Sequence, residues 1–482
     1  MNFRLLKKPF FLVLFMTLPA LVLFKFSGQS LVALLGVFAL SLSGVSYLFK
    51  WDKYILFALV STLFFSVDLP ILGGSNLAIP AEPLAVVLAG SSIVALILDK
   101  AWREKLSSLL SIKILLLFAL VFLVTSFYSS IPKVSYKYIS VWITYTLTGL
   151  SVFRLLHYKE IDLDGVLKIL AICLLVLGLF SIYNLLPYGF NLGAAGIMAK
   201  PFFKDHTVFS ATVSMFSPLL IFWPMKGSKA ECNFYKAIGV FLIFIVLISS
   251  SRAAWLSLIA SFSVYAVILF KVKRVYLIGT AIVSLVLVFS LKNEITNAFM
   301  VNPYQSSNAV SSLEDQALSV ANVSSDPSNM ERLNRWKSAW RMFTSKPVLG
   351  YGPGTYQFQY FPFQRDEDMT YISVTSPFLN KQGRGGSAHS EYLLLLSESG
   401  VFSFVLWLVF LGWVAISTKK RLGTDGLVES NKKQVAVFLG LFTYVIHALF
   451  NNFMNVAVFG IAFWILVFVL IHLISLMANN ES

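Results

Sequence analysis

Long apolar runs recur along the whole chain, separated by short basic loops, and they constrain the fold more than any other feature. About 20 apolar residues in a helix cross the hydrocarbon core of a bilayer. We identify fourteen such runs, at about 9–24, 30–49, 54–70, 80–98, 112–128, 138–156, 166–186, 207–224, 237–250, 253–270, 274–291, 391–417, 434–450 and 455–476. Charged residues make up only 13% of the chain, against about 25% in soluble domains. The sequence therefore predicts an all-α polytopic membrane protein with about 14 (12–14) transmembrane helices, and excludes an ordinary soluble enzyme.

The basic residues predict the orientation of these helices. Most of the 38 Lys and Arg lie before the first run or in alternate loops, and cytoplasmic loops of membrane proteins carry such an excess. The first run could be a signal peptide, but it is long and no small-residue cleavage site follows it, so we expect a retained span. Both termini are then predicted to be cytoplasmic. Three parts follow: spans 1–11 in residues 1–291, a large outer loop at 292–390, and spans 12–14 in residues 391–482.

The large loop is the main water-exposed segment, and it is predicted to be partly helical. Its first part is rich in Ser and Asn and is expected to be loose. Ser328 and Glu331 have the spacing of a capping box, which predicts a helix through MERLNRWKSAWRMF. Leu333, Trp336, Trp340 and Phe343 share one stripe of it. One interpretation is a helix on the membrane surface with its Trp residues at the interface.

Two residues at the outer ends of predicted spans are candidates for chemistry. Arg252 has no acidic neighbour in SSSRAAWLSL, and its guanidinium suits the oxygens of a phosphate, although a snorkelling Arg is an equal alternative. His389 follows a glycine-rich stretch, and a neutral imidazole can take a proton from a sugar hydroxyl near pH 7. A polar residue at a helix start is the alternative for His389.

Further polar residues are predicted on the same outer side. Glu391 and Glu398 share a helical face if one helix starts at His389. The alternative is that 390–399 is a separate surface helix. In either case, one carboxylate could orient His389. For Glu398 we favour a structural contact between spans. Lys204 and His206 in FFKDHTVFS, with Arg332 and Arg335 in the loop helix, indicate an anionic ligand. Two cysteines and the absence of nucleotide, zinc and serine-nucleophile motifs give no support for a metal or cofactor.

Four motifs in order resemble the bacterial O-antigen ligase and polysaccharide polymerase superfamily. They are SSSRAAWLSL, RLNRWKSAWRMFTSKPVLGYGPGTY, AHSEYLLLLSESGVFSF and HALFNNF. The resemblance covers residues from about 205 to 455, while the first 200 share only hydrophobic character with the family.

The resemblance implies a metal-independent glycosyltransferase at the periplasmic face of the bacterial inner membrane, with a glycan on undecaprenyl diphosphate as donor. Arg252 and Arg332 match family arginines that hold the diphosphate, and His389 matches the histidine that activates the acceptor hydroxyl. Asn451 and Asn452 stand where the family often has an acid, so Glu391 is a candidate for part of that role. We predict catalytic residues His389, Arg252 and Glu391, and substrate-binding residues Arg332, Arg335, Lys204, His206, Glu398 and Asn451.

The acceptor stays open among a growing glycan, lipid A-core and protein, so the sequence does not separate a polymerase from a ligase. A lipid-linked oligosaccharide flippase or another transporter is the alternative class, although the chain shows no internal repeat of the kind that transporters have. Expected partners are the lipid-linked donor, the acceptor, membrane lipids and a chain-length regulator, with no nucleic acid. An aromatic run from Tyr356 to Phe363 could stack on sugars, and packing is the favoured role for most of it.

Overall fold

The structure is a computed structural model that describes residues 39, 41–71, 75–273, 275–276, 327–369, 386–422 and 426–478. Several predictions lie outside these residues: the span at 9–24, part of the span at 30–49, nearly all of the span at 274–291 and nearly all of the loose start of the large loop. The named helices and strands are α1 (Asp52–Thr62), β1 (Val67–Ile71), β2 (Ser75–Ile79), α2 (Ala81–Leu98), α3 (Lys100–Ser107), α4 (Leu110–Phe127), α5 (Pro132–His157), α6 (Leu163–Leu185), α7 (His206–Phe222), α8 (Lys229–Ile248), α9 (Arg252–Leu269), α10 (Pro327–Ser345), α11 (Tyr356–Gln359), α12 (Glu391–Leu422), α13 (Lys432–His447) and α14 (Ala457–Ala478).

Within the described residues, eight helices are long and apolar enough to cross a membrane. They are α2, α4, α5, α6, α8, α9, α12 and α14. The helix α7 is apolar but has 17 residues, and α13 has 16. The predicted all-α polytopic membrane fold is therefore confirmed, while the number of fourteen spans stays a prediction.

One predicted span differs from the structure. The run at 54–70 is helical only from Asp52 to Thr62, and its end turns into β1, which pairs antiparallel with β2. Pro70 has no amide hydrogen for a helix, and the charged Asp68 makes the end of this run unsuited to lipid. Asp68 instead forms an ion pair with Lys204 at 2.9 Å.

The most apolar span forms the centre of the bundle. Nearly all side chains of α14 from Val458 to Ile471 are buried, because α5 packs along its length and α13 and α7 cover other faces. The helix α13 packs between α7 and α9, and α12 packs on α4 and on α10. These contacts bring the first residues of α5, α7, α9, α12 and α14 and the last residues of α4 and α13 to one end of the bundle, which we call the site end.

The opposite end is held by buried ion pairs. Arg154 of α5, predicted in an inner loop, is buried in the bundle and pairs with Asp52 of α1. Lys433 of α13 pairs with Asp164 of α6 at 2.8 Å, and Trp223 donates its indole hydrogen to the same carboxylate. Because these contacts join α1 to α5 and α6 to α13, they fix the helices that carry the site end.

Candidate functional site

A break in α12 shapes the site end. Gly400 has φ 71° and ψ −176°, so residues 391–399 form a helical segment of their own before the span that continues to Leu422. This is the alternative that the sequence left open, except that the segment is not on the surface, since Glu391, Leu394 and Glu398 are all buried. The short segment 391–399 therefore lies inside the site end.

The turn after α10 clamps this segment. Tyr351 and Gly352 donate their amide hydrogens to the carbonyls of Ser397 and Glu398 at 3.1 and 2.7 Å, and Val401 donates to Pro347 at 2.9 Å. The sequence PVLGYGPG makes this possible, because three of its residues are glycines with positive φ that let two backbones approach closely.

Glu398 holds the same turn with its side chain. Its two carboxylate oxygens accept the amide hydrogens of Gly354 and Tyr356, each at 2.8 Å, and the side chain is buried. This contact joins Glu398 to the large loop and not to another span, which is the contact that the sequence favoured. The substrate-binding role of Glu398 stays a prediction.

The loop helix α10 buries its polar face. Glu331, Asn334, Arg335 and Ser338 are buried, whereas Trp340 on the apolar stripe is 53% exposed. Arg335 donates to Glu331 at 2.7 Å, and its guanidinium lies 4.1 Å from the centre of the Tyr360 ring. Tyr360 and Tyr356 stack on each other and are buried, so packing is their observed role. Arg335 is thus part of the interior of the loop, and its predicted contact with substrate stays a prediction.

His389 lies between α10 and the connection from α13 to α14. The indole of Trp336 donates to its carbonyl oxygen at 2.9 Å, and its backbone has φ 49°. Two residues on, Glu391 donates its amide hydrogen to the carbonyl of Ala448. These two hydrogen bonds fix the backbone around His389 and therefore the position of its imidazole ring.

Burial, together with the positive charges of Arg332 and Arg335, lowers the pKa of His389 to about 4. The negative charges of Glu331 and Asp205 oppose this shift but are weaker. Since the pKa lies well below 7, the imidazole is neutral at that pH and has a nitrogen free to accept a proton.

Arg332 of α10 lies near polar residues of other elements at the site end. This residue lies within electrostatic range of the rings of His206, His389 and His447. The ring of His447 also lies beside the backbone of Ala253, directly after Arg252 at the start of α9. The first residues of α7 and α9, the last residue of α13 and the start of α10 thus surround one position.

Other predicted residues lie at the edge of this group or support it. Lys204 is exposed and pairs with Asp68. Asn451 is buried and donates from Nδ2 to Nε2 of His447 at 3.0 Å, which orients that ring. His447 was missing from our predicted site residues, although HALFNNF was among the four motifs.

Glu391 is hydrogen-bonded to the connection between α13 and α14. Its Oε2 accepts the amide hydrogen of Phe453 at 3.1 Å, and the described residues include no hydrogen bond between its carboxylate and the His389 ring. The carboxylate instead lines a cavity of about 230 Å³ at the site end. The role of Glu391 as an orienting group for His389 therefore has no support from this geometry.

Most of that cavity is lined by residues that sequence reasoning missed. They come from α5, α11 and the connection between α13 and α14, and include Tyr138, Gln357, Asn452 and Asn455. Asn452 was named within HALFNNF but not as a site residue, and Tyr138 and Gln357 lie far from it in the chain and meet it only in the fold. Among the described residues, no group of three or more His, Cys, Asp or Glu side chains could hold a metal ion.

Residues 237–408 match the family model described as O-Antigen ligase, and no curated protein matches the chain. The matched segment runs from within α8 to within α12 and contains Arg252, Arg332, His389 and Glu391. The match implies a glycosyltransferase-like enzyme of the O-antigen ligase or polymerase type, with lipid-linked glycan and acceptor substrates in general. The resemblance drawn from the motifs is thus confirmed for the first three of them, which lie within residues 237–408, and the chain is a multi-pass membrane protein with a segment similar to the O-antigen ligase family.

Proposed function

We propose that this protein moves a glycan from undecaprenyl diphosphate onto a sugar hydroxyl at the periplasmic face of the bacterial inner membrane, as an O-antigen ligase or a polysaccharide polymerase. The observation that carries the proposal is a neutral, held His389 beside Arg332, at the bundle end where α9 begins with Arg252. A base that must accept a proton and cations that suit a diphosphate are then within one site.

In the proposed reaction, the acceptor oxygen forms a bond to the anomeric carbon of the donor glycan. The bond from that carbon to the diphosphate oxygen breaks, and its electron pair leaves with undecaprenyl diphosphate. The acceptor proton passes to the ring of His389. Arg252 and Arg332 stabilise the charge that develops on the leaving diphosphate, which is where fixed cations lower a barrier most.

Binding of the donor would also tune the base. Arg332 and Arg335 lower the pKa of His389, and a diphosphate bound beside Arg332 would offset that positive charge. The pKa of His389 would then rise from about 4 towards the working pH, where a general base is most effective. The imidazole would become a better base when the donor is present.

The test uses the full chain purified in lipid, with a synthetic undecaprenyl-diphosphate oligosaccharide and no added acceptor at first. Release of lipid diphosphate and glycan length are measured for wild type, His389→Ala and Arg252→Ala. His157→Ala, at the opposite end of the bundle, and Arg365→Ala, an exposed residue of the loop, are matched controls. We expect losses of about 10²- to 10⁴-fold for His389→Ala, a large loss for Arg252→Ala, and wild-type rates for the controls.

Each outcome separates the alternatives. A glycan ladder without added acceptor indicates a polymerase, and release only after lipid A-core is added indicates a ligase. Failure to release lipid diphosphate with any acceptor, together with movement of the lipid-linked glycan across the bilayer, would overturn the enzyme in favour of a flippase.

A further inference from the structure

We propose that the cavity beside His389, lined by Glu391, Tyr138, Gln357, Asn452 and Asn455, binds the acceptor as an uncharged sugar ring and selects against anionic sugars. We call it the acidic cavity. This inference rests on the proposed function and deepens it by assigning the chemical class of the acceptor.

The acidic cavity is separate from Arg252 and Arg332, which we propose to hold the donor diphosphate. Gly386 and Ser387, which precede His389, form part of its wall, whereas Arg252 and Arg332 do not line it. Its ionisable lining residues are the carboxylates of Glu391 and Glu398 and the phenols of Tyr138 and Tyr356. No Arg or Lys lines the cavity, although Arg335 lies behind Gly386. The carboxyl, amide and phenol groups of the lining offer hydrogen-bond partners to a ligand rich in hydroxyl groups.

The size of the acidic cavity suits one ring. Its volume of about 230 Å³ lies below the roughly 300–1,000 Å³ of pockets that enclose drug-sized ligands. A smaller chamber adjoins it and shares Tyr138, Glu391, Leu394 and Glu398 as lining residues. That chamber, of about 20 Å³, has room for one hydroxyl group or one water molecule.

Hydrogen-bonding groups without protein partners line both spaces. Oε1 of Glu391 accepts no hydrogen bond from a described residue, and Oδ1 of Asn452 is buried without a partner among them. In the smaller chamber, the Tyr444 hydroxyl and the Trp407 indole N–H are unpaired with any described residue, and both side chains are at least 97% buried. Since buried polar groups are rarely left unpaired, this lining indicates a polar ligand.

The charge of the lining indicates which polar ligand. A hydroxyl group that donates to a carboxylate forms a charge-assisted hydrogen bond, which is stronger than a neutral one. A sugar carboxylate would instead meet two acidic side chains, Glu391 and Glu398, and no lining cation. Neutral sugars are therefore favoured over uronic acids. His389 lies two residues from Ser387 and two from Glu391, both of which line the cavity. A sugar ring in the cavity could therefore direct one hydroxyl group towards His389.

A labelling experiment tests binding independently of turnover. Cys173 and Cys232 are replaced by Ser, and Asn455→Cys, exposed at the edge of the acidic cavity, reports occupancy through its rate of reaction with a maleimide. Thr344→Cys, exposed on α10, is the matched control. The probes are methyl glycosides of glucose, galactose and mannose, and the three corresponding uronides. Release of lipid diphosphate is measured in parallel with the same proteins.

We expect at least one neutral glycoside to slow labelling at position 455 and not at 344, with no protection by the uronides. Glu391→Gln keeps an oxygen for the Phe453 amide but removes the charge, so the protecting concentration should rise about 10- to 100-fold. Asn452→Ala should weaken protection by a smaller factor. Glu367→Gln, an exposed acid of the loop, should change nothing.

Equal protection by uronides, no protection by any neutral glycoside, or an unchanged concentration dependence in Glu391→Gln would overturn the inference. Failure of the proposed function has a different signature, which is sugar protection at position 455 with no release of lipid diphosphate under any condition.

Discussion

Replacing Gly400 by Ala tests how the site end is built. At φ 71° and ψ −176° a side chain strains the backbone by about 1–3 kcal/mol. An added Cβ would also lie 2.1 Å from the carbonyl oxygen of Val348 and 2.4 Å from its carbon. These are backbone atoms, so the turn itself must move, and three backbone hydrogen bonds of the turn to residues 397–401 would weaken. At about 0.5–1.5 kcal/mol for each bond, the combined loss of stability is about 3–7 kcal/mol.

The measurement is thermal unfolding of the purified protein in detergent, beside the rate of lipid diphosphate release. Gly412→Ala is the matched control, because this glycine lies in the same helix and an added Cβ would meet nothing within 4 Å. We expect Gly412→Ala to unfold at the wild-type temperature or slightly above it, since Ala is favoured over Gly inside a helix by about 0.5–1 kcal/mol. Equal unfolding temperatures for the two variants would refute the description of Gly400 as an obligatory break.

Two further predictions concern single contacts of the site. Burial and the charges of Arg332 and Arg335 lower the pKa of His389 to about 4, and Arg332→Gln removes one of those charges. Because His389 acts in its neutral form, activity in wild type should fall only as the pH drops towards 4. In Arg332→Gln the acid limb of the kcat/KM profile should move to higher pH. An acid limb at the wild-type position would contradict the role of His389. Glu398→Ala leaves two buried amides without an acceptor, at about 1–3 kcal/mol each, so its unfolding temperature should drop while KM for the donor changes little. An unchanged unfolding temperature with a raised KM would instead make Glu398 a substrate contact.

Hydropathy and motifs predicted the parts of this fold that depend on local sequence. The spans around α2, α4, α5, α6 and α14 follow from uninterrupted apolar runs. The helix of the large loop was also predicted, but it begins at Pro327, so Ser328 lies inside the helix and not at the cap that its spacing to Glu331 suggested. The sequence left open a separate segment at 390–399, but it did not decide for the break at Gly400, because that conformation depends on the turn from Pro347 to Gly354 that packs against it.

The candidate site also has features that local sequence predicted and features that depend on the tertiary fold. Arg252, Arg332 and His389 belong to ordered motifs, so sequence alone identified them. The loop helix was harder, because its apolar stripe suggested which face would be buried. The structure buries the opposite face, where Arg335 pairs with Glu331 and stacks on Tyr360. Glu331 lies four residues from Arg335, within the same helix, whereas Tyr360 lies 25 residues away. Only the contact with Tyr360 depends on the tertiary fold.

The division of charge at the site end gives a physical reason for the order of residues around His389. Position 389 presents a neutral base next to Arg332, whereas position 391 directs a carboxylate into the acidic cavity. A donor diphosphate and an anionic group cannot share one small space without repulsion. If the cations hold the donor and the acidic cavity holds a neutral acceptor, the two substrates occupy different spaces with His389 at their boundary. Ser390, the one residue between His and Glu in HSE, then separates the base from the acid that lines the acceptor cavity.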